Sequence, residues 1–187
     1  MVLPKNGQLN IMNEQFVYYL AYGSNLSLQR FLHYIKGGEY KITGNYHRGC
    51  KDKNLYFDQN KPIKYFLNDY RLIFASQSLS WDGGGVAFIE EKENDKVWCR
   101  LYKVSLNQFI EIQEQEGATR NWYGRIIDEA TLGYIHELPI RTITCQKFIN
   151  VFNSPSKKYL DVIKSGLSET GFGKDEIDAY LKTLKLI

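Results

Sequence analysis

The stretch FVYYLAYGSNLSLQRFL, residues 16–32, decides how the chain is read. Its opening run is apolar and aromatic and stops at Gly23, which predicts a short buried strand at residues 16–22. Beyond the junction, Leu28, Phe31, Leu32 and Ile35 recur at i, i+3, i+4 and i+7, the spacing of one helical face. Tyr22-Gly23-Ser24-Asn25 stands between the two elements. Glycine permits close backbone approach, Ser24 or Asn25 could cap the incoming helix, and free amides at a helix start favour an anionic group such as a carboxylate. On residue chemistry alone, this corner is either an ordinary turn and cap or an anion cradle.

The 187 residues around it, 43% hydrophobic and 14% aromatic, suffice for one substantial core. We expect an N-terminal tail at residues 1–15 and a single domain at 16–187. The net charge of +3 neither demands nor excludes a polyanionic partner. Cys50, Cys99 and Cys145 form no C-x-x-C pair and leave an odd count, which fits reduced, inert thiols better than a disulfide framework. MVLPKNGQLNIMNEQ lacks the apolar region of a secretion signal, and no later run approaches the roughly 20 apolar residues that span a bilayer. The expectation is a cytoplasmic protein with no membrane partner.

Residues 36–66 interleave Gly, Lys, Asn and Asp with tyrosines and hold neither period, so they read as an enlarged loop region with room for a short hairpin. Strand-like text follows in YRLIFAS, GGGVAFIEE and VWCRLYKV, with residues 83–85 and EKEND as turns. Three strands in quick succession suggest a meander able to curl into a small barrel. Further strands are predicted at YGRIIDEA and RTITCQKFINVF, then a turn at NSPS and a helix opening near Lys157. The tail DEIDAYLKTLKLI has helical periodicity through Ile177, Tyr180, Leu181 and Leu184.

SLNQFIEIQEQEG, residues 105–117, is a well-marked helix: Ser105 with Gln108 forms a capping-box pattern and Gly117 is the stop. Glu111, Glu114 and Glu116 crowd its C-terminal end, where the helix dipole disfavours an exposed negative charge by about 0.3–1 kcal/mol. Either all three are solvated surface acids, or one is desolvated and carries a raised pKa suited to proton transfer. Glu116 is the better candidate, since it borders Gly117, and Glu114 points some 200° away around the helix.

YYLAYGSNL and the later EQEG together resemble the gamma-glutamyl cyclotransferase family, within the wider AIG2-like superfamily. The resemblance implies a mixed α+β fold, a small, partly open β-barrel flanked by helices. It makes Tyr22, Gly23, Ser24 and Asn25 a substrate-binding loop and Glu116 the catalytic acid/base. WDGGGVAFI is similar to a family Trp-x-Gly-Gly-x-Ala stretch, and Tyr123 and Tyr159 fall where the family has substrate-pocket tyrosines. The residue-level alternatives remain: residues 83–85 as a turn, Trp81 as a packing residue, Tyr159 as a core anchor. Between the first helix and DYRLIF this chain carries extra residues, including GCKDKNLYFDQNKP, and an added loop near a site alters which substrate enters.

The activity implied is intramolecular aminolysis: the α-amine of a γ-glutamyl unit attacks its own side-chain carbonyl, releasing 5-oxoproline and a free amine or amino acid. The resemblance implies a small-molecule γ-glutamyl partner and no cofactor. Two other classes compete. A non-catalytic small-molecule binding module on the same fold would keep the Tyr22–Asn25 loop and have no need of Glu116. A nucleic-acid binder would use the lysines and tyrosines of residues 36–64, but acidic residues are interleaved there and a solvated loop fits better, so no nucleic-acid partner is expected. His33, His47 and His136 are scattered without metal-ligand spacing, and Ser24 lacks a nucleophile-elbow pattern, so neither a metal site nor a serine-hydrolase triad is expected.

Overall fold

The computed structural model describes residues 15–117, 122–145 and 151–184. The expected tail therefore lies outside the described residues except for Gln15, as do residues 146–150 of the strand expected in RTITCQKFINVF and the last three residues of the chain. The elements run β1 (Phe16–Ala21), α1 (Leu28–Lys36), β2 (Gly38–Tyr40), β3 (Asn45–His47), β4 (Ile63–Ala75), β5 (Val86–Ser105), α2 (Leu106–Gln115), β6 (Arg125–Ile127), α3 (Glu129–Leu132), β7 (Tyr134–Ile135), β8 (Leu138–Thr144), α4 (Lys157–Glu169) and α5 (Lys174–Thr183).

The fold is mixed α+β, as expected. Its main sheet has the order β4-β5-β1-β8-β6, with β7 on β8 and a separate β2-β3 hairpin. β1 pairs antiparallel with β5 and parallel with β8, so it is central, and its two faces meet different cores. Tyr18, Leu20 and Tyr22 point into a large core shared with α4 and α5. Val17, Tyr19 and Ala21 point into a second core against α1 and α2. A strand buried on both faces must read as a continuous apolar run, which is what FVYYLA does. The sheet does not close, but it curls: Thr144 Oγ1 on β8 donates to Ile89 O and accepts from Ile89 N on β5. The barrel is partly open.

One expectation is corrected. EKEND is not a turn between two strands, because β5 runs unbroken along β4 from Val86 to Ser105. Pairing steps from Asn68↔Lys96 to Tyr70↔Glu91, so Asp69 alone faces residues 92–95. Asp69 and Asn94 both have positive φ there, and Asp69 Oδ1 accepts from Asn94 N at 3.0 Å. Extra residues on one strand bend it without ending it, so what the sequence shows as punctuation is an irregularity inside a long hairpin.

α2 forms as its sequence predicts. Ser105 Oγ accepts from Gln108 N while Gln108 Oε1 accepts from Ser105 N. Phe109 and Ile112 are fully buried. Each such burial stabilises by about 1.5–3 kcal/mol, more than the dipole penalty of the acids near the helix end. Cys50 and Cys99 are free and buried, and Cys145 is partly buried; burial pushes the Cys50 thiol up to about 12. No described helix is long and apolar enough to cross a membrane.

Candidate active site

Where β1 runs out at Ala21, Tyr22 still faces the core and its hydroxyl donates to Ile143 O at 2.7 Å. The backbone then leaves the sheet at Gly23 and makes one 3-10 turn, Ser24–Leu26. Here the capping expectation is corrected: the residue that caps α1 is Ser27, whose hydroxyl accepts from Arg30 N. Ser24 and Asn25 are thereby left for other work. The turn is clamped from both sides. Tyr102 Oη donates to the carbonyls of Asn25 and Leu26, at 3.0 and 3.2 Å. Gly166 of α4 lies so close that a Cβ there would sit 2.3 Å from Ser27 N. A Cβ at Gly23 would be a tight fit, meeting Tyr159 Oη at 3.0 Å and Ala87 Cβ at 3.1 Å.

The end of α2 reaches the same place. Glu116 closes the helix, its N–H bonded to Ile112 O, and Gly117 turns the chain away at φ +87°. Four residues after buried Ile112, Glu116 shares the inward face of the helix. Its carboxyl lies inside the protein although the residue as a whole is half-buried. Glu114 points out and pairs with Arg48, and Glu111 accepts from Lys51 N. The cluster thus divides into two partnered surface acids and one desolvated group.

Asn25 joins the two segments. Its Nδ2 donates to Glu116 Oε1 at 2.5 Å and to Tyr19 Oη at 3.0 Å, while its buried Oδ1 has no partner among the described residues. Around them Tyr22, Gly23, Ser24, Asn25, Glu116, Tyr123 and Tyr159, all seven of the residues predicted from sequence, line one small cavity. Tyr123 Oη donates to Ala87 O at 2.9 Å, and its ring stacks on Phe88. Tyr159 packs in the core and also lines the cavity. Its ring packs on Trp81, its hydroxyl accepts from Ala87 N at 3.1 Å and engages Ser24, and it still faces the cavity. Trp81 is buried and packs, and Gly83, at φ +78°, makes a turn.

Tyr19, Ala87 and Ile143 also line the cavity and escaped the sequence reading. So did Arg30 and Tyr34, which stand behind Glu116. The available signal was their i, i+4 spacing on a helical face otherwise apolar. The enlarged loop does something other than expected, because no residue of 36–66 lines the cavity. Part of it instead straps α2 from outside. Gly49 N donates to Gln115 Oε1, and Gln108 Nε2 donates to the carbonyls of Asp52 and Asn54.

Burial raises the Glu116 pKa above the ordinary carboxylate value, against the opposing pull of Arg30 and of hydrogen bonds from Asn25 and Tyr34. Burial likewise pushes the Tyr19, Tyr22 and Tyr123 phenols far up, and Tyr159 to about 12, with the Glu116 charge adding to each. The phenols are thus neutral donors at ordinary pH, and Glu116 is the group positioned to exchange a proton. The cavity holds about 30 Å³ of free space, the scale of a water or a small head group rather than of a whole dipeptide. Among the described residues no cluster of His, Cys, Asp and Glu is arranged to hold a metal ion.

A solved structure of a gamma-glutamyl cyclotransferase superposes with a TM-score of 0.65 at 21% identity, covering 92% of this chain and 90% of that one. In sequence, the gamma-glutamylcyclotransferase of Bos taurus is 26% identical over 158 residues, 84% of this chain and 73% of the bovine protein. A histone deacetylase 5 of Arabidopsis thaliana is 28% identical over 205 residues, which cover 88% of this chain. The chain spans only 30% of that plant protein's length, and the plant name describes the whole. No protein-family model matches the chain. The fold is that of the cyclotransferases. On fold and sequence together, the chain resembles the gamma-glutamyl cyclotransferases.

Proposed function

We propose that this chain is a cofactor-independent enzyme that closes a γ-glutamyl unit into 5-oxoproline and releases the amine attached to it. The observation that carries this reading is the inward-facing Glu116 carboxyl, held by Asn25 beside the turn that follows Gly23. The α-nitrogen attacks the side-chain carbonyl, the new C–N bond closes a five-membered ring, and the bond to the departing nitrogen breaks. The α-ammonium sheds two protons in becoming the lactam N–H, and the departing nitrogen gains two in leaving as an ammonium. One carboxylate of raised pKa can shuttle both. Glu116 and the unpartnered Asn25 Oδ1 are acceptors suited to the incoming ammonium. The N–H groups of residues 23–25 suit the substrate carboxylate or the developing oxyanion.

Nucleophile and electrophile share one molecule, so freezing the attack conformer supplies part of the roughly 7–11 kcal/mol available from orientation. A cavity sized for the amino-acid head suffices, with the acylated amine extending outward. The test is incubation with a panel of γ-glutamyl amino acids and γ-glutamyl amines, reading 5-oxoproline by mass. Lactam from at least one class, abolished in Glu116→Gln, is the expected result. Binding without lactam across the panel would instead favour a non-catalytic module.

A further inference from the structure

Arg30 is a buried cation, 6% exposed, that forms no ion pair with a carboxylate among the described residues. A charge so placed costs several kcal/mol unless something inside the protein compensates it. Its partners are neutral. One guanidinium nitrogen donates to Tyr34 Oη at 2.6 Å, and the other lies 2.5 Å from His47 Nε2. A guanidinium only donates, so His47 Nε2 must be the unprotonated nitrogen and Tyr34 Oη must be accepting. The single Tyr34 proton is then free to point onward. Gln115, the residue before Glu116, donates to the Tyr34 backbone carbonyl at 3.0 Å, so Tyr34 stands beside the end of α2, where the carboxyl that its hydroxyl meets is that of Glu116. The side chains are ordered by donor and acceptor as Arg30, Tyr34, Glu116, with the cation at the closed end and the cavity at the other.

We propose that Arg30, acting through Tyr34, is a positioning residue for Glu116: it keeps the buried carboxyl available as the anion and fixes which of its oxygens faces the cavity. This rests on the assignment of Glu116 as the acid/base. Tyr34 is itself fully buried, and its backbone carbonyl accepts from Gln115 Nε2 and Cys50 Sγ, which fixes the residue against α2. The other groups facing Glu116 are Asn25 from the turn and the neutral phenols of Tyr19, Tyr22, Tyr123 and Tyr159. Asn25 donates to the carboxyl, and among the described residues none of these groups brings positive charge. On the far side of Arg30, His47 is buried and stays neutral down to about pH 4, and Tyr40 lies under the guanidinium at 5.0 Å. Arg30 is accordingly the source of counter-charge on the α1 side.

The deciding variant is Tyr34→Phe, which removes one oxygen and keeps the ring. Carbon-13 NMR of glutamate-labelled protein, with Glu116→Gln to assign the signal, reads the titration midpoint of Glu116 directly and needs no turnover. The midpoint should rise by about one pH unit or more in Tyr34→Phe. Arg30→Lys, which keeps the charge and loses the fork, should move it in the same direction by less than Arg30→Met. In the lactam assay the acid limb of kcat/KM should shift upward by the same amount as the midpoint. Loss of thermal stability with an unmoved midpoint in folded Tyr34→Phe or Arg30→Lys would make the chain of side chains merely structural and overturn the proposal. Wild-type protein that titrates as described but makes no lactam would instead fail the proposed function and leave the counter-charge assignment standing.

Discussion

Glu116→Gln is the substitution on which the proposed chemistry is most exposed. The change is isosteric, and Asn25 Nδ2 can still donate to the remaining oxygen at the position of Oε1. What disappears is proton exchange, and no other described residue lining the cavity can replace it. Tyr159 sits at about 12, and Tyr19, Tyr22 and Tyr123 are pushed up by burial, so no phenol there ionises near neutrality. The full general acid/base contribution should therefore be lost, about 10²–10⁴ in turnover, which is roughly 3–5 kcal/mol of barrier. The assay is 5-oxoproline release from a substrate first validated on wild type. Stability should move the other way. Burial raises the folded-state pKa of Glu116, so relative to its exposed value the folded protein gains from this group below the unfolded pKa of 4.5 and loses that gain as pH rises through the folded pKa. The Gln variant should thus melt higher than wild type at pH 7, and the gap should close as pH falls towards 4.5. Turnover within a few-fold of wild type would refute the catalytic assignment. A variant less stable than wild type at pH 7 would refute the claim that the carboxyl is desolvated.

His47 supplies a pH dependence of opposite origin: burial, then Arg30, lowers its pKa from 6.5 to about 4, so the unfolded chain binds a proton that the folded one refuses. Stability should be complete above pH 6.5 and fall towards pH 4, by at most roughly 3 kcal/mol, and urea midpoints across that range should flatten in His47→Gln. Gly166→Ala places a Cβ 2.3 Å from the backbone of Ser27. Overpacking there should cost about 1–3 kcal/mol, or roughly 2–4 °C of melting temperature per kcal/mol; an unchanged melting curve would mean that α4 does not bear on the turn. Gly23→Ala meets the tip of Tyr159 and the Ala87 side chain instead. Melting should change little while turnover falls about ten-fold or more through misplacement of the ligand, and intact turnover would show that the ligand does not approach Gly23.

The parts of this protein that were legible in its sequence are those whose pattern is enforced locally. β1 is buried on both faces and so cannot hide its apolar run. The capping box of α2 needs only Ser105 and Gln108, three positions apart. Glu116 stood out because a carboxylate at a helix C-terminus runs against the dipole, a conflict visible without coordinates. What stayed hidden depends on pairing. EKEND has turn composition, and only its alignment with Asp69 on the neighbouring strand shows it to be an irregularity within one long strand. Ser24, Asn25 and Ser27 all have capping chemistry, and the 3-10 turn that leaves the cap to Ser27 is held by Tyr102 and Gly166 from distant elements. Tyr19 reads as one more core aromatic until its hydroxyl is seen to meet Asn25.

Size and chemistry point to different places in this molecule, and chemistry has the better claim. A much larger cavity, about 920 Å³, runs between β4, β5 and α5 past Arg71, Trp98 and Tyr180, and it contains none of the groups gathered round Glu116. Volume decides how much of a ligand can be covered; it supplies no proton transfer. The small cavity brings a desolvated carboxyl, an unpartnered amide oxygen and a backbone turn free of side-chain bulk to within one head group of each other. For an intramolecular ring closure, that head group contains both reacting atoms. The acylated amine beyond the scissile bond needs no enclosure for the chemistry, so in the proposed reaction the small site would hold the constant part of a γ-glutamyl compound and leave its variable part outside. Cleavage across the substrate panel should accordingly depend more on an intact α-amino and α-carboxyl group than on the identity of the amine released.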